Sequence, residues 1–418
     1  MKNIIYLQKQ ERDKLLGMAY IERTILPLAS GYLESRPIKL ITGPRRAGKS
    51  VLALQMLKGK NFAYLNFDDK QLLDNFDENA VEQALYEVYP DYEYLLLDEL
   101  QNQPGWSLWV EKLYRRGVNM VITGSNANML SDDLAAVLSG RFFEISLYPF
   151  SANEYLEYLN IPQEVSSPQE IASLNTSLDH YMKYGGYPEV LSSPAVVSGY
   201  LSSLYDAIIL KDIVRRFKVR KVDDLYEVAS WLLSNFTCPF SVNSLARELG
   251  MSSITTVQKF AGYLQNTYLF RFLPRFNNKL KLMKKADQKC YIIDNGFVMA
   301  RAFELSENRG KLLENLVFLE LLKRGYRLKS YELFYYRSAN DREVDFVCRK
   351  GVAVEKLVQV CYSLDSYKAR SREISALVEC SRELHNTNLC IITWNQEETV
   401  EESGLTVRII PFRKWIRQ

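Results

Sequence analysis

Ile41-Thr42-Gly43-Pro44-Arg45-Arg46-Ala47-Gly48-Lys49-Ser50 is the stretch on which the reading of this chain turns. It fits the spacing GxxxxGK[ST] and directly follows an apolar run, Pro37 to Ile41. Such a loop needs a strand to aim it, glycines that let backbone N–H groups approach phosphates, and a helix whose positive end faces the anion. Val51 to Leu57 supplies good helix formers behind it. Gly43, Pro44, Arg45, Arg46, Ala47, Gly48, Lys49, Ser50 and Val51 are therefore the expected nucleotide cradle. Lys49 is placed to reach the β and γ phosphates, and Ser50 to bind magnesium.

Downstream, Tyr94-Leu95-Leu96-Leu97-Asp98-Glu99 is an apolar run ending in two carboxylates, the pattern of a buried central strand that delivers acids to its C-terminal end. Asp98 is expected to hold magnesium through its water shell, and Glu99 to act as general base on the attacking water. Hydrolysis of ATP, with ATP and Mg2+ as cofactors, follows as the expectation. A third apolar run, Val118 to Thr123, closes in Gly124-Ser125-Asn126. Thr123, Ser125 and Asn126 are candidate γ-phosphate sensors, with Asn126 placed ahead of Ser125, although small polar residues after a strand also suit caps and turns. Arg141, ahead of the strand-like Phe142 to Leu147, suits either a finger that reaches a neighbouring subunit's phosphate or a locally paired surface arginine.

These residues, quoted as GPRRAGKS, YLNFDD (Tyr64 to Asp69), LLLDELQ (Leu95 to Gln101), ITGSNA (Ile122 to Ala127) and LSGR (Leu138 to Arg141), resemble a family of bacterial and archaeal AAA+ P-loop ATPases. Members carry a C-terminal uncharacterised domain related to PD-(D/E)XK nucleases. GGYPEV at Gly185, LKDIVRR at Leu210, YIIDNG at Tyr291, LLENLVFLEL at Leu312 and FYYRSANDREVDFV at Phe334 extend the resemblance over nearly the whole chain. It implies an added strand between the two Walker strands, and it strengthens the finger role of Arg141.

The chain has 418 residues, enough for roughly two to four domains, and its 47% hydrophobic and 25% charged residues are ordinary for a folded protein. A net charge of +3 is too mild to argue for a polyanion partner, so any nucleic-acid case rests on local clusters. Six scattered cysteines without a CxxC pair, and only His180 and His385, argue against structural zinc. Met1 to Lys9 lacks a signal-peptide apolar stretch and no run approaches membrane-span length, so a cytoplasmic protein without membrane contact is expected.

The fold class read from these patterns is α/β: a P-loop AAA+ core over 1–150, with helical segments up to Pro37, and then a helical lid over 151–235. A winged helix follows over 236–300, with Ser244 to Leu249 as its first helix, Ile254 to Leu264 on the second, and Thr255, Thr256, Gln258 and Lys259 facing out. Its wing carries Lys279, Lys281, Lys284 and Lys285, a set suited to duplex phosphates or simply to a solvated surface. Lys211 to Lys221 is the densest positive run.

The final region, 301–418, resembles a restriction-endonuclease-like α/β core in its order of elements. Glu314 matches the helix acid and Asp345 the second-strand acid, whereas Gln359-Val360-Cys361 stands where (D/E)xK is expected, so nuclease activity is not expected. The favoured reading is an ATPase that couples turnover to DNA and assembles as a homo-oligomer, at least with ATP bound. An ATP-switched scaffold binding a protein partner is the alternative, with an ATP-gated nuclease third.

Overall fold

The structure, a computed structural model, describes residues 1–125, 140–162, 164–191, 194–301 and 308–418. The chain divides into two compact units, residues 1–150 with 266–268, and residues 151–265 with 269–418.

The first unit is built on five parallel strands: β1 (Ile38–Thr42), β2 (Phe62–Asn66), β3 (Tyr94–Asp98), β4 (Asn119–Gly124) and β5 (Phe142–Ser146). Their order is β2-β3-β4-β1-β5, so β4 lies between the two strands that carry the phosphate loop and the paired carboxylates. Helices cover both faces of a parallel sheet, which explains the unbroken apolar runs: β1 and β3 are buried at every position. Lys39 interrupts the apolar run of β1, and its ammonium donates to Ser35 O and Asn119 Oδ1, both at 2.5 Å. Parallel pairing of Leu40 with Ile122 and of Leu97 with Ile122 brings Gly43, Asp98 and Gly124 to the same C-terminal edge.

β2 is an edge strand, and an unpaired edge invites aggregation unless it is covered. The N-terminal helix Lys2–Leu16 covers it. Gln8 accepts from Asn66 N at 2.9 Å and donates to Asn66 O at 3.2 Å, and Arg12 donates to Phe62 O.

The second unit begins with helices Ala152–Tyr158, Pro168–Tyr184 and Pro194–Ala207, the last running into a π-helical segment, Ile208–Arg215. Capping boxes start the first two, as Ser151 with Glu154 and Ser167 with Glu170. Helices Val242–Glu248 and Ile254–Asn266 are joined to a small antiparallel sheet ordered β6-β8-β7, formed by β6 (Pro239–Phe240), β7 (Phe270–Pro274) and β8 (Gln288–Ile292). Between β7 and β8 the basic segment contains a short helix, Leu280–Met283.

A six-stranded mixed sheet follows. It comprises β9 (Leu333–Arg337), β10 (Glu343–Lys350), β11 (Ala353–Val360), β12 (Leu389–Thr393), β13 (Glu398–Glu402) and β14 (Leu405–Pro411), in the order β13-β14-β12-β11-β10-β9. The closing hairpin of β13 and β14 is absent from the sequence reading, because β13 is exposed at almost every position and lacks an apolar face. No helix of the described residues is long and apolar enough to cross a membrane.

Helix Arg309–Lys323 is buried almost all round, so its low amphipathicity marks a core helix. Its Asn315 accepts from Ile292 N at 2.9 Å, donates to Ile292 O at 2.9 Å, and bonds Asn295 Oδ1 at 2.8 Å, completing the edge of β8 beyond the short β6. Asn295 donates to Met182 O and Leu312 O, and Asp294 accepts from Gly186 N at 2.8 Å and Gly296 N at 2.9 Å. GGYPEV, YIIDNG and LLENLVFLEL therefore meet in one buried polar network. Gly185, with φ of 80°, passes so close to it that a Cβ there would lie 1.6 Å from Asp294 Oδ1.

Gly185→Ala is expected to cost on the order of 3 kcal/mol, seen as a lower urea midpoint by circular dichroism. Gly325→Ala is the control. Gly325 is also left-handed but has nothing within 4 Å, so it should cost only about 1 kcal/mol. Equal losses in the two variants would show that the crowding against Asp294 is unimportant.

Candidate nucleotide site

The loop after β1 closes as a tight turn, with Ala47 N donating to Pro44 O at 3.3 Å. Gly43 runs so near β5's continuation that a Cβ would stand 2.0 Å from Leu147 O, which only glycine avoids. Helix Lys49–Met56 starts directly behind the loop, so its unpaired N–H groups and positive dipole end lie at the loop. Arg23, buried ahead of β1, donates to Ala47 O at 2.9 Å and to Tyr148 O at 2.6 Å, and lies 4.8 Å from the Phe150 ring centre. It braces the loop from outside the motif. Nothing in its local sequence marks it, since the contact is made across 24 residues.

Lys49 is 3% exposed. Its Nζ donates to Pro44 O at 3.1 Å and stands 3.4 Å from Glu99 Oε1, so the loop lysine and the second carboxylate face each other. Ser50 Oγ donates to Asp98 Oδ1 at 2.9 Å, Thr123 Oγ1 donates to the same oxygen, and Tyr64 OH reaches Asp98 Oδ2 at 3.4 Å. Burial, followed by the neighbouring Glu99, pushes the Asp98 carboxyl up to about 6. Burial works in the same direction on Glu99, but Lys49, the Gln101 hydrogen bond and Arg45 outweigh it and bring that carboxyl below its usual range.

Glu99 takes a left-handed backbone conformation, φ 51° and ψ 40°. Its amide donates to Thr123 Oγ1 at 3.0 Å, while Gln101 Nε2 holds Glu99 Oε2 at 2.5 Å and reaches Ser125 Oγ at 3.3 Å. Thr123 is thus committed to both carboxylate residues, and Ser125 is tied to Glu99 through Gln101. Asn126 lies outside the described residues. Arg141 is exposed at the N-terminal end of β5, where its carbonyl accepts from Ile38 N and its guanidinium lies 6.0 Å from the Tyr114 ring centre. That is the edge opposite Gly43, one strand length or about 17 Å away, so Arg141 does not serve its own chain's loop.

Chemically, the arrangement holds a fixed ammonium, a hydroxyl–carboxylate pair and a second, ionised carboxylate around an anion-binding loop. Ser50 Oγ and Asp98 Oδ1 are hard oxygen donors 2.9 Å apart, a set that fits a magnesium-class cation.

In the second unit Glu314 and Asp345 converge, joined by Glu343 and by Lys289 of β8, neither of which local spacing identifies. Tyr335 is a core ring whose hydroxyl donates to Asp287 O at 2.7 Å.

A carboxyl raised in the folded state binds its proton more tightly there than in the unfolded chain, so Asp98 costs stability as pH rises from about 4 through 6. Without nucleotide or metal, Asp98→Asn is expected to stabilise the protein at pH 8 by roughly 3 kcal/mol and to leave it unchanged near pH 4. Melting curves at the two pH values decide it, and an equal shift at both rules the explanation out.

Residues 35–156 match the AAA domain family, 175–308 a domain of unknown function (DUF8612), and 309–415 a second one (DUF4143). An uncharacterised protein of Methanocaldococcus jannaschii is 31% identical over 90% of this chain and 88% of its own length. One of Haemophilus influenzae is 32% identical over 88% and 92%. Among solved structures, a Walker-type ATPase of Pyrococcus abyssi aligns with 68% of this chain and 99% of its own at 13% identity, with a TM-score of 0.44. With a phosphate loop, paired carboxylates and an AAA domain match over residues 35–156, the chain belongs to the same family as these uncharacterised archaeal and bacterial proteins.

Proposed function

We propose that the protein is a magnesium-dependent ATPase that couples nucleotide turnover to engagement of DNA. The observation that carries the reading is the facing of Lys49 and Glu99 beside the Ser50–Asp98 pair at one sheet edge. Lys49, with the backbone from Gly43 to Val51, binds the phosphates, and Ser50 and Asp98 hold the magnesium. Bound there, the ion would supply charge neutralisation of the phosphates. Glu99, kept ionised by Lys49 and Gln101, accepts the proton of an attacking water. Gln101 must release Glu99 Oε2 for that oxygen to act. Asn126 is assigned the γ-phosphate sensor role and Arg141 the finger role; because Arg141 stands at the wrong edge for its own loop, the finger acts on a second copy of the chain.

The DNA reading rests on exposed cations. Helix Ile254–Asn266 presents Thr255, Gln258 and Lys259, and the segment between β7 and β8 presents Lys279, Lys281, Lys284 and Lys285. Together they suit a winged helix on duplex phosphates. Lys211, Arg215, Lys218 and Arg220 form a second exposed basic set on and after the π-helical segment. One observation favours a protein partner instead: Leu280 and Leu282, 53% and 49% exposed, stand among those lysines.

Turnover is to be measured with and without duplex and single-stranded DNA, at two salt concentrations. DNA should raise wild-type turnover more strongly at low salt, and Glu99→Gln should retain ATP while losing at least 100-fold in rate. Indifference to DNA moves the partner to protein. A fully active Glu99→Gln removes the assigned base. Mixing inactive Arg141→Ala with inactive Glu99→Gln should restore part of the turnover, because one of the two kinds of mixed interface pairs the intact base of the first variant with the intact finger of the second; no recovery removes the assignment of Arg141 as a finger acting on a second copy.

A further inference from the structure

Lys289 is a cation inside a carboxylate cage. It is 2% exposed, and its Nζ stands 2.9 Å from Glu314 Oε1, 2.8 Å from Glu343 Oε1 and 2.9 Å from Asp345 Oδ1. An ammonium has three N–H donors and no acceptor; this one donates to Glu314 and Asp345 and pairs with Glu343 by charge. Burial alone opposes the charge on Lys289, but Asp345, Glu314, Tyr291 and Glu343 overcome it and hold the lysine firmly protonated. The cage is braced from outside. Tyr291 OH donates to Glu314 Oε1 at 2.7 Å, and Val360 N donates to Asp345 Oδ2 at 2.9 Å.

Carboxylate oxygens bind hard divalent cations, but at roughly 2.0–2.6 Å. Here the three carboxylates stand 2.8–2.9 Å from the central nitrogen, the contacts of an ammonium. As they stand, no group of three or more His, Cys, Asp and Glu among the described residues is arranged to hold a metal ion, so the three carboxylates would have to draw inward to do so. Gln359 adds nothing to the cage: its Oε1 accepts from Asp345 N at 3.2 Å and its Nε2 donates to Glu373 at 2.6 Å. Cys361 Sγ is turned to Ser363 O at 3.0 Å.

We infer that Lys289 is the resident cation of this cage, a tethered ammonium standing where a divalent ion would otherwise sit, and that the second unit holds a latent divalent-cation site which opens when the ammonium is removed. The tether has a structural consequence too. It fastens β8 to helix Arg309–Lys323 and to β10 through charge, and the buried Asp345 and the partly buried Glu314 and Glu343, left without it, repel one another. The inference is independent of the proposed partner and of ATP hydrolysis.

The test is a Mn2+ titration followed by electron paramagnetic resonance, without nucleotide, on full-length wild type, Lys289→Met, and Lys289→Met with Asp345→Asn. Lys289→Met is expected to bind one more Mn2+ per chain than wild type, and the double variant to return to the wild-type count. At ~100-fold excess over its Kd, Mn2+ should raise the melting temperature of Lys289→Met by roughly 5 °C more than that of the double variant. A folded Lys289→Met with no added Mn2+, or an Asp345-dependent Mn2+ site already present in wild type, overturns the inference. If Lys289→Met does not fold in metal-free buffer, Mn2+ must restore its cooperative melting where sodium chloride of equal ionic strength does not, and failure of that rescue also overturns it.

Discussion

A buried polar group without a partner costs about 1–3 kcal/mol, and more when it is charged; the Asp98 carboxylate sets that demand for the first unit. It lies at the end of β3 and takes hydroxyl donors from Ser50, Thr123 and Tyr64. Those three residues belong to the helix after β1, to β4 and to β2, so satisfying one carboxylate aligns the ends of neighbouring strands with the phosphate loop. Burial and the neighbouring Glu99 outweigh the hydroxyl hydrogen bonds and the Lys49 ammonium, so the carboxyl stays raised. An apolar residue would suit the strand better, so the charge is retained at a cost to stability, as is common at functional sites.

The second unit answers the same demand with carboxamides. Asn315 presents its amide to Ile292 as a neighbouring strand would, and Gln8 does the same for Asn66 in the first unit. In both places a strand edge that the sheet leaves open is closed by a side chain carrying one donor and one acceptor in peptide-like geometry. Asp294 ties the turn after helix Pro168–Tyr184 to the residues following β8, and Asn295 and Asn315 extend the tie into helix Arg309–Lys323. Three signatures that suggest chemistry by their polar residues thus do structural work. Lys289 differs in kind, because its cage is charged and its replacement changes which ions the region accepts.

Much of the nucleotide site was legible because its chemistry is local. GxxxxGK[ST] spans ten residues or fewer, and the strand preceding Asp98 announces itself by an unbroken apolar run. The parts that were not legible act over distance: Arg23 reaches Ala47 O across 24 residues, Thr123 reaches Asp98 across 25, and Lys289 reaches Asp345 across 56. Gln101 is two residues from Glu99, yet its hold depends on the left-handed turn at Glu99, which no composition signals. The π-helical form of Ile208–Arg215 is equally silent, since its residues suit an ordinary helix as well.

By itself the sequence determined a parallel α/β core, a phosphate loop and two acids at a strand end. Periodicity and spacing encode those features, because they arise from residues that neighbour one another along a strand or a turn. Only the tertiary structure decided that Arg141 faces away from its own loop, that Thr123 serves Asp98, and that an ammonium from β8 fills the carboxylate cage. Each of these depends on which strand ends come together, and strand order is set by packing across the whole unit rather than by any stretch of the chain.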